Sequence, residues 1–152
     1  MVIILSGDKM GYIFSIIAGA VMSIQGVMNT RLSEKIGLYE SNAYVQGTAF
    51  LISLITLFFL KNGNFSAIGS VNKLYLFGGV LGLVITITVM LGVKSLGPVM
   101  ATSVILISQL FVAALIDAFG IMDSQKVAFT WNKYVGIALM IGGVILFEHQ
   151  FR

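Results

Sequence analysis

The 152-residue chain is 58% hydrophobic and only 10% charged, with a mean hydropathy of +1.01; soluble domains are about 45–50% apolar and about 25% charged. A soluble fold of this length could not hide so much apolar surface, so the chain reads as an all-α integral membrane protein. The net charge of +3 comes from nine scattered Lys and Arg residues, without the basic stripe that nucleic acid requires. The absence of cysteine excludes disulfides, thiolate metal sites and a cysteine nucleophile.

A spanning helix needs about 20 apolar residues to cross a hydrocarbon core of about 30 Å, and a charge at its centre costs about 2.5–3.5 kcal/mol. Charge-free intervals therefore count the spans. Residues 1–9 read as an N-terminal tail, followed by one five-helix domain over residues 10–152. The first interval, Met10 to Thr30, is uncharged throughout and long enough for one span. Lys9, the apolar run and Ala18-Gly19-Ala20 loosely resemble a cleavable leader, but the run continues to Met28 and four more spans follow, so no cleavage is expected. Ala18, Met22, Gln25 and Asn29 share one face of this helix. Arg31, Glu34, Lys35 and Glu40 are expected to flank a first loop in water or headgroups.

The second interval runs from Ser41 to Leu60, again the length of one span. Asn42, Gln46, Ala49, Ser53 and Thr56 fall on one small, polar face, with Tyr44, Leu51, Ile55 and Phe58 opposite. "KNGNFSAIGSVNK" is rich in Gly, Asn and Ser and reads as a loop. The third interval lies between Lys73 and Lys94 and matches the second in length. Gly78, Gly82 and Gly92 form a face there for close helix packing. "SLGPV" puts Pro98 at a helix start, where its missing N–H costs little. The fourth interval, between Lys94 and Asp117, is slightly longer. Pro98, Thr102, Gln109 and Ala113 share a face there, and Asp117 lies about a quarter-turn away. That acid is either an interfacial cap or a functional group, since an acid at depth is a functional candidate by default.

The fifth interval, Tyr134 to Phe147, falls short of a full span. Lys133 can snorkel, Trp131 and Tyr134 supply an aromatic anchor, and Glu148, His149 and Arg152 are expected in the opposite headgroup region. Gly136, Gly142 and Gly143 thin this helix for a contact with another helix or subunit. The helices are expected over about 10–30, 41–60, 73–93, 97–118 and 131–148.

Five spans put Lys9, Lys61, Lys73, Lys126 and Lys133 on one side and Arg31, Lys35, Lys94 and Arg152 on the other. Orientation follows the Lys/Arg excess in short cytoplasmic loops, and five against four is almost none. The balance favours dual insertion narrowly over one fixed orientation set by a weaker cue. Buried amides need partners, so each amide alone reads as glue between helices. As a set on three helices, Gln25, Asn29, Asn42, Gln46, Thr102 and Gln109 suggest a polar cavity that binds substrate. No metal cluster, phosphate loop, dinucleotide fingerprint or catalytic triad is present in the sequence, so neither an enzyme nor a cofactor is expected.

"SIQGVMNTRLSEKIG", "SNAYVQGTAFL", "GGVLGLVITITVMLGVKSLGPVMATSVILISQLFVAALIDAFG" and "GIALMIGGVILF" resemble the YdcZ-type small membrane proteins of the drug/metabolite transporter superfamily. Gln25, Asn29, Gln109 and the "IDAFG" around Asp117 carry the specific part of the likeness. The resemblance implies a multi-pass protein of the bacterial inner membrane, one half of a ten-helix inverted-repeat carrier. An antiparallel homodimer, or a homologous partner of opposite topology, would complete it. It also implies a small-molecule exporter working by alternating access; Asp117, as an acid at depth, is then a candidate coupling group. The small multidrug exporters use a glutamate in the first helix; here that interval is acid-free, which leaves that route of proton coupling without its acid. The rival readings are a non-transporting accessory or scaffold subunit and a passive pore or lipid-handling protein.

Overall fold

The computed structural model describes residues 8–60, 63–128 and 130–149, without the side chains of Asp8, Glu148 and His149. The expected tail up to residue 7, Lys61, and the C-terminal headgroup contacts of Glu148, His149 and Arg152 lie outside what is described. The described residues form five α-helices and no strand: α1 (Asp8–Ile36), α2 (Leu38–Phe59), α3 (Gly78–Leu96), α4 (Pro98–Phe119) and α5 (Trp131–His149). Two 3-10 turns, Phe65–Ser70 and Lys73–Phe77, lie between α2 and α3. α1 to α4 supply four segments long and apolar enough to cross a membrane, and the apolar stretch of α5, Trp131–Phe147, is shorter.

The chain divides into two compact units, Met1–Ser95 and Leu96–Arg152. In the first, α1 packs along α2; in the second, α4 packs along α5.

The first loop is not where the charges suggested. α1 continues through Arg31, Glu34 and Lys35 to Ile36, and α2 starts at Leu38, so Gly37 is the whole connection. Helix formation is local: Arg, Leu, Glu and Lys are strong helix formers, and nothing stops a helix at the hydrocarbon boundary. At 1.5 Å per residue the 29 residues of α1 rise about 43 Å, well beyond a core of about 30 Å. Its charged end is braced by Arg31 Nη1, which lies 3.0 Å from Glu34 Oε2 one turn on.

Gly37 makes the reversal with φ 102 and ψ 156, a region that only glycine enters without strain. Its N–H bonds Ser33 O at 3.0 Å and closes α1, while its carbonyl accepts Ser41 N at 3.1 Å and opens α2. The α3–α4 connection repeats the device. Gly97 has φ 80 and ψ 163, Pro98 takes the first helical position, and Ala101 N bonds Gly97 O at 3.1 Å. The residue four positions past each glycine, Ser41 or Ala101, is buried.

α3 begins later than the charge spacing suggests, because Lys73–Phe77 is wound as a 3-10 turn, and it ends later, past Lys94. α4 closes on Gly120 in the left-handed conformation, φ 64. Ile121 N then reaches back to Ile116 O at 3.1 Å, the six-to-one bond of a Schellman cap. Val127 N bonds Asp117 O at 2.9 Å, folding the following loop over the helix end.

The two glycine elbows differ in what a methyl group would meet. A Cβ on Gly37 would run into the Glu40 carboxylate, whereas one on Gly97 would enter open space. Both substitutions force an L residue into glycine-only backbone at a cost of about 1–3 kcal/mol. The exposed Glu40 carboxylate can swing aside, so thermal unfolding in detergent should show Gly37→Ala and Gly97→Ala destabilised by similar amounts.

Candidate functional site

The first unit holds a buried polar cluster beside the Gly37 elbow. Asn29 and Thr30 on α1 keep 9% and 3% of their surface exposed, and Ser41 and Asn42 on α2 keep 0% and 5%. Each is removed from solvent and needs partners within the protein. Thr30 Oγ1 donates to Gly26 O at 2.7 Å along its own helix. The single proton of Ser41 Oγ is shared between two neighbours, Asn29 O at 3.3 Å on α1 and Met90 Sδ at 3.7 Å on α3. Ser41 thereby ties three helices together. Asn42 Oδ1 is buried and accepts no hydrogen bond.

About one turn further along α2, Gln46 Nε2 donates to Thr86 Oγ1 of α3 at 3.4 Å, and Thr86 donates onward to Gly82 O at 2.8 Å. Thr86 spends its proton on the carbonyl, so it can only accept from the glutamine. Gly82, Thr86 and Met90 follow one another at four-residue spacing and lie on one face of α3. Opposite them on α1, Gly26 permits close approach: a Cβ there would stand 3.1 Å from Val89 Cγ1.

Of the six amides and hydroxyls that the sequence marks as substrate contacts, Asn29 and Asn42 are buried and Gln46 is half-buried, all within the first unit. Gln25 is exposed. The packed line of α1 is Gly26, Asn29, Thr30 and Ser33, turned by about 60° from the face through Ala18, Met22 and Gln25, so that Asn29 lies at the shared edge. In the second unit Thr102 and Gln109 are exposed on α4, and Asp117 is half-buried in its last turn. Of the proposed packing glycines, Gly82 meets Gln46 Nε2 at 3.8 Å from a built Cβ, while Gly78, Gly136, Gly142 and Gly143 have no neighbour within 4 Å. Gly92 is half-buried. No group of three or more His, Asp or Glu side chains stands close enough to hold a metal among the described residues.

A family model described as "Putative inner membrane exporter, YdcZ" matches residues 10–146, nearly the whole chain. The chain belongs to the YdcZ family. Family membership places it in the inner membrane, and the role described for the family is export, a transport function rather than catalysis. No match was found among curated proteins or among solved structures.

Sequence reasoning missed Ser41, Thr86, Met90 and Gly26 in this YdcZ-family chain. Thr86 and Met90 were within reach, since they continue the Gly78–Gly82 line at the same spacing. Ser41 was not, because charge spacing puts it at the edge of a loop. In a membrane, an interhelical hydrogen bond between polar side chains contributes about 0.6 kcal/mol on average and at most about 1.7. A double-mutant cycle of Gln46→Leu and Thr86→Val, read by unfolding in mixed micelles, should give a coupling energy within that range.

Proposed function

We propose that the protein is an export carrier whose working unit is a pair of inverted copies, with α5 crossing the bilayer as the fifth span. The observation that carries this reading is Gln109. It lies near the middle of α4, a 22-residue helix, yet its side chain is exposed. An amide facing lipid at that depth costs several kcal/mol, so a polar group must cover it: another part of this chain, a second copy, a substrate or a water-filled path. Gln25, exposed within the charge-free stretch of α1, poses the same demand in the first unit. Asn42 Oδ1 adds a buried acceptor without a donor.

Inverted pairing supplies such cover. Two copies related by a two-fold axis in the membrane plane form the repeat on which alternating access rests, and the five-to-four distribution of Lys and Arg suits insertion in either direction. The path would be lined by neutral amides and hydroxyls, Gln25, Asn29, Asn42, Gln46, Thr102 and Gln109. They bind through hydrogen bonds without net charge and so suit a polar neutral or zwitterionic small molecule. Asp117, in the last turn of α4, is a coupling group at the mouth of the path rather than at its middle. Rocking of the two copies against each other exposes the substrate to each side in turn.

Losing one amide contact of ~1.4 kcal/mol lowers affinity about tenfold. Proteoliposomes loaded with a panel of radiolabelled neutral and zwitterionic solutes should show saturable flux with the wild type. Gln25→Ala and Gln109→Ala should lose about that factor while melting at the wild-type temperature. Full flux in well-folded variants would remove both residues from the path. Variants that lose stability, with no flux from the wild type, would make the amides helix glue in a non-transporting subunit.

A further inference from the structure

The connection between α2 and α3 has a regularity that export does not use. Asn64 and Asn72 each start a 3-10 turn by accepting the amide two residues on: Ser66 N to Asn64 Oδ1 at 2.9 Å, and Leu74 N to Asn72 Oδ1 at 3.0 Å. In a 3-10 helix residues three apart eclipse one another. Phe65 stands over Ile68 in the first turn, and Leu74 over Phe77 in the second. The other two lines of the first turn carry Ser66 with Gly69 and Ala67 with Ser70. In the first turn the wound backbone gathers the large apolar side chains onto one line, while in the second Tyr75 and Leu76 put apolar surface on the other lines too; Phe65, Ile68, Leu74, Tyr75, Leu76 and Phe77 are all exposed.

Turns of six and five residues do not hold an exposed apolar line in water by their own propensity. Their surroundings identify what covers them. The segment is tethered at one end to α2, which ends at Phe59, and at the other runs into the third apolar span, Lys73–Leu96, whose first residues are the second 3-10 turn. Phe58, Phe59 and Leu60 at the end of α2 are exposed apolar residues as well. The charges also have one sign. No Asp or Glu occurs between Glu40 and Asp117, and the connection carries only Lys61 and Lys73, the sign that anionic headgroups attract.

We propose that residues 64–77 form an interfacial anchor, with Phe65, Ile68, Leu74 and Phe77 inserted at the headgroup–acyl boundary and Lys73 set among the phosphates of anionic lipids. Amphipathic segments of this kind lie in the interface plane, buried by about 5–10 Å. The anchor fixes the depth and rotation of α2 and α3, which the glycine elbows alone leave free.

The single tryptophan, Trp131, makes the test direct. In a Trp131→Phe background, Phe65→Trp, Ile68→Trp and Ser66→Trp are each reconstituted into vesicles of phosphatidylethanolamine and phosphatidylglycerol carrying bromine at shallow or deep acyl positions. Shallow bromine should quench Phe65→Trp and Ile68→Trp several-fold more than Ser66→Trp. Adding Lys73→Gln should reduce that difference in phosphatidylglycerol vesicles and leave it unchanged in phosphatidylcholine. Equal quenching of all three positions by aqueous acrylamide, without bromine dependence, would put the connection in water and overturn the anchor. Protection of Phe65→Trp and Ile68→Trp from both quenchers would overturn it in favour of a protein partner.

Discussion

A hydrogen-bonding group inside a bilayer has no water to fall back on, and that constraint organises this chain. On the helices it permits three outcomes: a hydroxyl turned back on its own backbone, a tie to another helix, or a group that waits for something outside the chain. Thr30, Ser53, Thr56 and Thr88 take the first, each bonding a carbonyl about one turn earlier. Ser41, Gln46 and Thr86 take the second and hold α1, α2 and α3 together. Asn42 Oδ1 takes the third, and the exposed amides of Gln25 and Gln109 join it. The first two outcomes explain the packing of the first unit, and the third is the observation on which the proposed function rests.

Few apolar contacts compete with these polar ties. Met90, Val93 and Ala101 are the hydrophobic residues with buried side chains among those described, because lipid tails solvate Leu and Phe as well as another helix would. Stability is then concentrated in small features: two glycine elbows, the Ser41 junction and the approach of Gly26 to Val89. A chain held in this way leaves most of its helical surface facing outward from its own packing.

The spans were legible in the sequence because a charge at mid-depth is costly, so the intervals from Met10 to Thr30 and from Ser41 to Leu60 had to be charge-free. The helix ends were not legible from the same rule. Arg31, Glu34 and Lys35 end the uncharged interval, and the helix continues through them on local propensity. Gly37 looked like one residue of a loop, because a single sequence does not display the φ of 102 that makes it the entire turn. The facing of α1 is rotated by about 60° for a related reason: Gln25 and Asn29 share a face by spacing, but close packing centres on the line through Gly26, which keeps Asn29 and leaves Gln25 out. The three-residue apolar period from Phe65 to Phe77 was present in the sequence, hidden because it matches neither the α-helical nor the strand period.

The central claim is that copies of this chain sit in the membrane in both orientations and complete one another. The chain lacks cysteine, so a single introduced thiol reports its side without background. Ser70→Cys in the α2–α3 connection, labelled with a membrane-impermeant maleimide in sealed right-side-out vesicles, measures this directly. With an almost even Lys/Arg balance, about half the molecules should react before permeabilisation and the rest only after it. Complete reaction before permeabilisation, or none until after it, would mean one fixed orientation and would contradict pairing between inverted copies.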